Sequence, residues 1–147
     1  MKILWIDLNS SYAHSSLALP ALHAQVKNNP DYQWDIVSAT INENIGMVVD
    51  VIYRHQPDIL AATCWLFNHE SLIHIVSRAK ALLPKACVIL GGPEFLGENE
   101  TFLRRNPFVD CVFRGVRICL SMSTEQRVLL RVMSSMRSLV PGTMPRC

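Results

Sequence analysis

The sequence predicts an α/β protein built on a doubly wound parallel sheet, and three features of its patterning predict it. Short continuous apolar runs recur along the chain, as strands covered on both faces require. Stretches with apolar residues at helical spacing alternate with these runs. Most junctions between the two carry Asn, Pro or Gly, which cap, stop or turn a chain. A length of 147 residues suits a domain whose core needs no disulfide or metal.

Ile3–Ile6 is the first strand, followed by a polar loop, Asn9–Ser16. A first helix carries Leu17, Ala18, Ala21, Leu22 and Val26, with Pro20 acceptable only in its first turn and Asn28-Asn29-Pro30 ending it. Trp34–Ile41 reads as the second strand. Ile45, Val48, Val49, Ile52 and Tyr53 then repeat at helical spacing behind a cap at Asn42 or Asn44, and Pro57 closes that helix. Ile59–Leu66 is the third strand and its exit. Asn68 can cap the next helix, whose predicted buried stripe is Leu72, Ile75, Val76, Ala79, Leu82 and Leu83, stopped by Pro84. Cys87–Leu90 is strand four, broken at once by Gly91-Gly92-Pro93. A short helix over Thr101–Arg105 leads to strand five at Val109–Phe113. Right-handed crossovers then give a five-stranded parallel sheet in three αβα layers, with the flavodoxin-like (Rossmann-like) order 2-1-3-4-5.

Charge excludes some functions. Residues 1–115 hold nine Lys/Arg against eleven Asp/Glu, so the body has no footprint for nucleic acid, and Arg104-Arg105 is its only basic doublet. The five cysteines (Cys64, Cys87, Cys111, Cys119, Cys147) show no zinc-like spacing, and three lie in apolar runs, so reduced thiols are expected. Asp7 interrupts any signal-peptide core and no apolar run reaches the length of a membrane span, which predicts a cytoplasmic protein away from membranes.

In such sheets ligands bind beyond the carboxyl ends of the strands, where the strand order reverses. The candidate binding residues are therefore Asn9, Ser10, Ser11, Tyr12, His14 and Ser15 after strand one, and Thr63, Cys64 and Trp65 after strand three. Gly91, Gly92, Pro93 and Glu94 follow strand four, and Gly115 follows strand five. A glycine pair lets backbone approach a bulky group or take positive φ, although a plain turn needs the same residues. The Ser-rich loop leads into a helix N-terminus and suits phosphate or amide groups; a capped, solvated turn explains it equally. Trp65 offers a face for a flat cofactor or a partly buried core aromatic.

Catalytic constellations are missing. His69 and His74 superficially suggest a zinc helix, but a spacing of five puts them about 140° apart. Cys64 could pair with His69 or His14 as a nucleophile, yet nothing in the sequence brings them together. A receiver domain would need Asp after strand three and Lys after strand five, where Thr63-Cys64 and Arg114 stand.

Taken together, three stretches resemble the N-terminal cobalamin-binding domains of radical S-adenosylmethionine proteins. They are Asn9 with Tyr12–Leu19, Pro57–Leu60 running into Trp65, and Val88–Glu94 paired with Asn106–Gly115. The resemblance covers residues 1–115. It implies a cobalamin free of its lower ligand, its nucleotide tail threaded into the domain past Gly91, Gly92, Thr63 and Cys64, and the 9–16 loop meeting the corrin. The ligating branch carries Asp-x-His-x-x-Gly; here Asp7-Leu8-Asn9-Ser10-Ser11-Tyr12 has no histidine, so cobalt ligation by that route is not expected. The family's Cys-x-x-x-Cys-x-x-Cys motif is also absent, so the 4Fe-4S cluster and S-adenosylmethionine would bind a downstream domain. The chain by itself is expected to catalyse nothing. A flavodoxin-like FMN or nucleotide carrier is the alternative, and a folded but inert fragment is a third reading.

Composition changes at residue 116. The last 32 residues have five Arg, one Glu, four Met and five Ser, with no Asp, Lys or aromatic. A helix over 124–139, capped by Thr124 and stopped by Pro141-Gly142, fits the apolar spacing; a shifted reading frame fits the composition. Either way residues 116–147 are expected to contribute no ligand contacts.

Overall fold

The computed structural model describes residues 1–13, 23–24, 30–114 and 117–120, with Arg114 and 117–120 described as backbone only. The expected first helix lies outside these residues except for His23 and Ala24, which are helical, and the expected helix 124–139 lies outside them altogether.

Five parallel strands form in the predicted order. They are β1 (Lys2–Asn9), β2 (Gln33–Thr40), β3 (Ile59–Thr63), β4 (Cys87–Gly91) and β5 (Cys111–Arg114), arranged β2-β1-β3-β4-β5. A further strand, β6 (Arg117–Leu120), pairs antiparallel with β5 in the register Arg114↔Arg117 and extends that edge. Four residues are too few for a period-2 pattern to stand out, and β6 sits where the composition changes, so the sequence did not announce it.

The described helices are α1 (Ile45–His55), α2 (His69–Leu82) and α3 (Glu100–Arg105). Asn44 caps α1 as expected, its side-chain oxygen accepting from the Gly46 N–H at 2.8 Å. In α2 the buried stripe is Leu72, Ile75, Val76 and Ala79, whereas Leu82 is 54% exposed because α2 ends there and its last side chain turns to solvent. Strand alternation sends Leu4, Ile6, Leu8, Leu60, Ala62, Val88, Leu90 and Val112 to one face, where they pack with Val48, Ile52, Leu72, Ile75, Val76 and Leu103 from the three helices. The opposite face carries Ile3, Ile59, Cys87, Ile89 and Cys111, with Trp5 and Ala61 beside them.

A polar brace ties the lower ends of β4 and β5. Asp110, 5% exposed, accepts from the Val88 N–H at 2.7 Å and from Lys80 Nζ at 2.8 Å. Lys80 also donates to the Ala86 carbonyl, and the Asp110 N–H donates to the Val88 carbonyl.

Candidate functional site

Asn68 organises the carboxyl edge of the sheet. The sequence marked it as a helix cap, but its side chain makes no capping bond to α2. It is buried instead and turns toward the sheet. Its amide donates to the Leu8 carbonyl at 2.9 Å and to the Thr63 carbonyl at 3.2 Å, while its oxygen accepts from the Trp65 N–H at 2.8 Å. One side chain therefore joins the ends of β1 and β3, which flank the reversal of strand order, to the loop that follows β3. The tertiary carbonyls outcompete the local cap because they would otherwise be buried without donors.

The β3 and β4 ends are joined as closely. The Cys64 N–H donates to the Gly91 carbonyl at 2.6 Å. Gly92 has φ +112°, and a Cβ there would lie 2.4 Å from the Cys64 carbonyl oxygen and 2.8 Å from Thr63 Cγ2. The missing side chain of Gly92 is thus used by the protein's own backbone. Gly91 differs: among the described residues its Cβ would meet Phe113 alone, at an ordinary 3.6 Å from its Cβ and 3.9 Å from its carbonyl oxygen.

Alternation places Thr63 and Gly91, register partners, on the face opposite the helices, with Ala61 beneath Thr63 and Phe113 packed nearby. Trp5 stands opposite Ala61 in the register and stacks on Trp34 with ring centroids 6.0 Å apart. Ala61, Thr63 and Gly91 are therefore a strip of small residues on that face, with the two indoles to one side and Phe113 to the other. Thr63 and Gly91 end their strands at the carboxyl edge.

Around that edge, Trp65 is 41% exposed and stacks on Phe67, while Leu66 is 83% exposed. Trp65 is thus a surface platform and not core. On the β1–β2 side, Asp7, Asn9, Ser11, Tyr12, Ser38, Ala39 and Thr40 line a depression of about 190 Å³. Asn9 Nδ2 donates to Asp7 Oδ2 at 3.0 Å. Tyr12 Oη donates to Glu43, whose carboxylate also accepts from the Thr40 N–H and holds the phenol above its usual range. Ser10 lies in the same turn. His14, Ser15 and Gly115 lie outside the described residues.

The structure brings together one pair that the sequence could not. Cys64 Sγ lies 3.7 Å from His69 Nδ1, and the same nitrogen lies 3.6 Å from Glu94 Oε2, with the imidazole edge-on to Phe102. Pro93 and Glu94 form a 3₁₀ turn with Phe95. Burial, assisted by the Glu94 charge, pushes the Cys64 thiol up to about 12, which leaves it protonated and inert at neutral pH. Burial raises Cys87 to about 12 as well, reinforced by Asp110. Both thiols bind protons more tightly folded than unfolded, where a thiol titrates near 8.5–9. Stability is therefore expected to be level with pH below about 9 and to fall as pH rises from 9 towards 12. Urea titrations across that range should show the decline, and Cys64→Ala should make it shallower; an unchanged slope would contradict the assignment.

Among the described residues no group of His, Cys, Asp and Glu side chains could hold a metal ion, and no helix is long and apolar enough to cross a membrane. A doubly wound parallel sheet with small and polar residues at its carboxyl edge, beside the reversal of strand order, is the frame of a small-cofactor-binding α/β domain. The B12 binding domain family matches residues 5–117. The chain belongs to that family, and it is a cobalamin-binding module. It is similar to the cobalamin-dependent radical SAM methyltransferase TokK of Streptomyces tokunonensis, 28% identical over 60 residues, 41% of this chain and 9% of TokK. It is also similar to the 2-(S-pantetheinyl)-carbapenam-3-carboxylate methyltransferase of Streptantibioticus cattleyicolor, 30% identical over 59 residues, 40% of this chain and 9% of that enzyme. The matched stretch is thus less than a tenth of either relative's length. In fold, the chain is similar to a cobalamin-binding protein from Desulfitobacterium hafniense DCB-2, with a TM-score of 0.57 and 17% identity over 90% of this chain and 57% of that one.

Proposed function

We propose that the carboxyl edge at Thr63 and Gly91 receives the nucleotide tail of cobalamin, and that cobalt takes no ligand from the β1 loop. The observation that carries this reading is Gly91. Among the described residues its Cβ position would meet Phe113 alone, at ordinary distances, so packing by those residues does not demand a glycine there as it does at Gly92. Asn9 stands where the ligating branch has histidine, and its amide is already engaged by Asp7. Exposed Trp65, Leu66 and Phe67 offer an apolar bed for the corrin.

The chain then acts as the cofactor module of a cytoplasmic radical S-adenosylmethionine protein, as its two curated relatives support. The partner domain would supply the 4Fe-4S cluster and S-adenosylmethionine. Cobalamin supplies methyl-transfer chemistry; this chain's residues bind it, orient it and keep water from its lower face. No acid, base or nucleophile is assigned here, and residues 116–147 are assigned no contact with the cofactor.

Calorimetry and visible spectra with hydroxocobalamin test the reading, with FMN as the rival ligand. Wild type should bind cobalamin, with a spectrum showing the benzimidazole released from cobalt, and should not bind FMN. Gly91→Val places a branched side chain at the proposed tail site; overpacking costs about 1–3 kcal/mol, a loss of about 5- to 150-fold in affinity. Unchanged affinity in that variant, or binding of FMN alone, would reject the assignment.

A further inference from the structure

The depression between β1 and β2 holds acceptor atoms that the described residues leave unanswered. Asp7, Asn9, Ser38 and Thr40 line it, in the register pairs Asp7↔Ser38 and Asn9↔Thr40. Asp7 is 7% exposed. Its Oδ2 accepts from Asn9 Nδ2, but among the described residues no hydrogen bond reaches Asp7 Oδ1 or Asn9 Oδ1. Neither oxygen is sealed from solvent, and Ser38 and Tyr12 on the rim are exposed, so a ligand group can enter. No Lys or Arg is among the described lining residues. A carboxylate held largely out of water with one oxygen unanswered carries a desolvation cost, which a hydrogen-bond donor relieves.

The depression also adjoins the site proposed for the cofactor. Ile6 pairs with Ala62, so the next register position sets Asp7 beside Thr63, which pairs with Gly91. Ser38, Asp7, Thr63 and Gly91 thus make one row across four strands at the carboxyl edge. Neighbouring strands are about 4.8 Å apart, and a corrin is wider than one such spacing.

We propose that this depression takes a peripheral carboxamide of the corrin. This rests on the cobalamin reading above. A primary amide offers two N–H donors and one acceptor. Its N–H groups answer Asp7 Oδ1 and Asn9 Oδ1, and its carbonyl accepts from the Ser38 or Thr40 hydroxyl. A phosphate would meet the Asp7 charge, and an ammonium would make no use of the hydroxyl donors. Asp7 thereby becomes a specificity-determining residue. It rejects a corrinoid in which that amide has been hydrolysed, because two carboxylates would then face each other in a partly desolvated site.

Calorimetry tests this with hydroxocobalamin, cobinamide and a set of singly hydrolysed cobalamins, each carrying a carboxylate in place of one peripheral carboxamide. Wild type is expected to bind at least one member of the set about 10- to 150-fold more weakly than cobalamin, the range of a hydrogen bond to a charged group. Asp7→Asn should erase that difference, since its oxygen still accepts from Asn9 while its NH2 donates to the new carboxylate. Ser38→Lys, at an exposed position, should erase it too by placing an ammonium at the same acceptors, and it decides the matter if Asp7→Asn fails to fold. Cobinamide keeps the corrin amides and lacks the nucleotide, so Asp7→Asn should weaken cobinamide and cobalamin by the same factor. Asp50→Asn, exposed on α1 and paired with Arg54, should change none of these affinities.

Equal binding of the whole set by wild type would overturn the assignment. So would discrimination that persists in folded Asp7→Asn or in Ser38→Lys. A loss seen with cobalamin and absent with cobinamide would move the contact to the nucleotide and overturn it as well. Each of these leaves cobalamin binding intact; failure of wild type to bind any corrinoid would overturn the cofactor placement together with the inference.

Discussion

Gly92→Ala is expected to destabilise the protein by about 3–4 kcal/mol, among the largest effects of any single substitution in it. Two costs combine. With φ +112° and ψ −178°, the residue occupies a backbone region that side chains other than glycine's rarely enter. The new Cβ would also stand 2.4 Å from the Cys64 carbonyl oxygen and 3.0 Å from its nitrogen. Those are backbone atoms fixed by β3 and by the Cys64–Gly91 hydrogen bond, so they cannot swing aside as a flexible side chain would. Urea denaturation with a matched control measures the effect. Gly97→Ala should stay within about 0.5 kcal/mol of wild type, because nothing lies within 4 Å of its Cβ position. Similar midpoints for the two variants would show that the β3–β4 contact is softer than it looks. Gly91 is therefore the useful site for testing the cofactor: substitution of Gly92 would confuse a lost ligand with a lost fold.

Asp110→Ala should be comparably severe, at about 3–5 kcal/mol, the range for removing one partner of a buried ion pair. The carboxylate answers two donors, the Val88 N–H and Lys80 Nζ, and both would be stranded in its absence. Lys80 keeps the Ala86 carbonyl and is 19% exposed, so some of its charge can be rehydrated. Val88 is fully buried in β4, and its N–H has no such recourse. Asp110→Asn should cost roughly half as much, because the amide oxygen still accepts from Val88 while the charge is gone. A double-mutant cycle with Lys80→Met separates the contributions: the Asp110–Lys80 coupling should be about 1–3 kcal/mol. If Asp110→Ala shifts the urea midpoint no more than a typical surface substitution, the brace does not hold the sheet.

Which residues stand at the carboxyl edge was legible because it follows from patterns that do not need the third dimension. Apolar runs of β1, β3 and β4 named the strands, the strand order named the edge, and the residues after each strand were necessarily there. The roles of individual residues were less legible. Asn68 looked like a cap because Asn before a helix usually is one, and the competing carbonyls of Leu8 and Thr63 come from distant strands. Gly91 and Gly92 read as one motif, yet among the described residues one would meet Phe113 at ordinary distances and the other collides with the chain's own backbone, a distinction made by φ and by neighbours. Cys64, His69 and Glu94 meet only because β3 and β4 are adjacent and their exits bend toward each other.

By itself, then, the sequence determined the α/β class, the 2-1-3-4-5 order, which residues stand at the carboxyl edge of the sheet and, through Gly91-Gly92-Pro93-Glu94 and its companions, the likeness to cobalamin-binding domains. Periodicity, turn residues and right-handed crossovers suffice for these because each is a local or topological rule. The tertiary structure decided what the edge is made of: Asn68 bridging the switch point, Gly92 consumed by packing, the small residues Ala61, Thr63 and Gly91 side by side, the meeting of Cys64, His69 and Glu94, and the antiparallel β6. Each depends on which atoms from separate strands come within hydrogen-bond or van der Waals range, and short-range contact between distant residues is the quantity that a linear pattern does not contain.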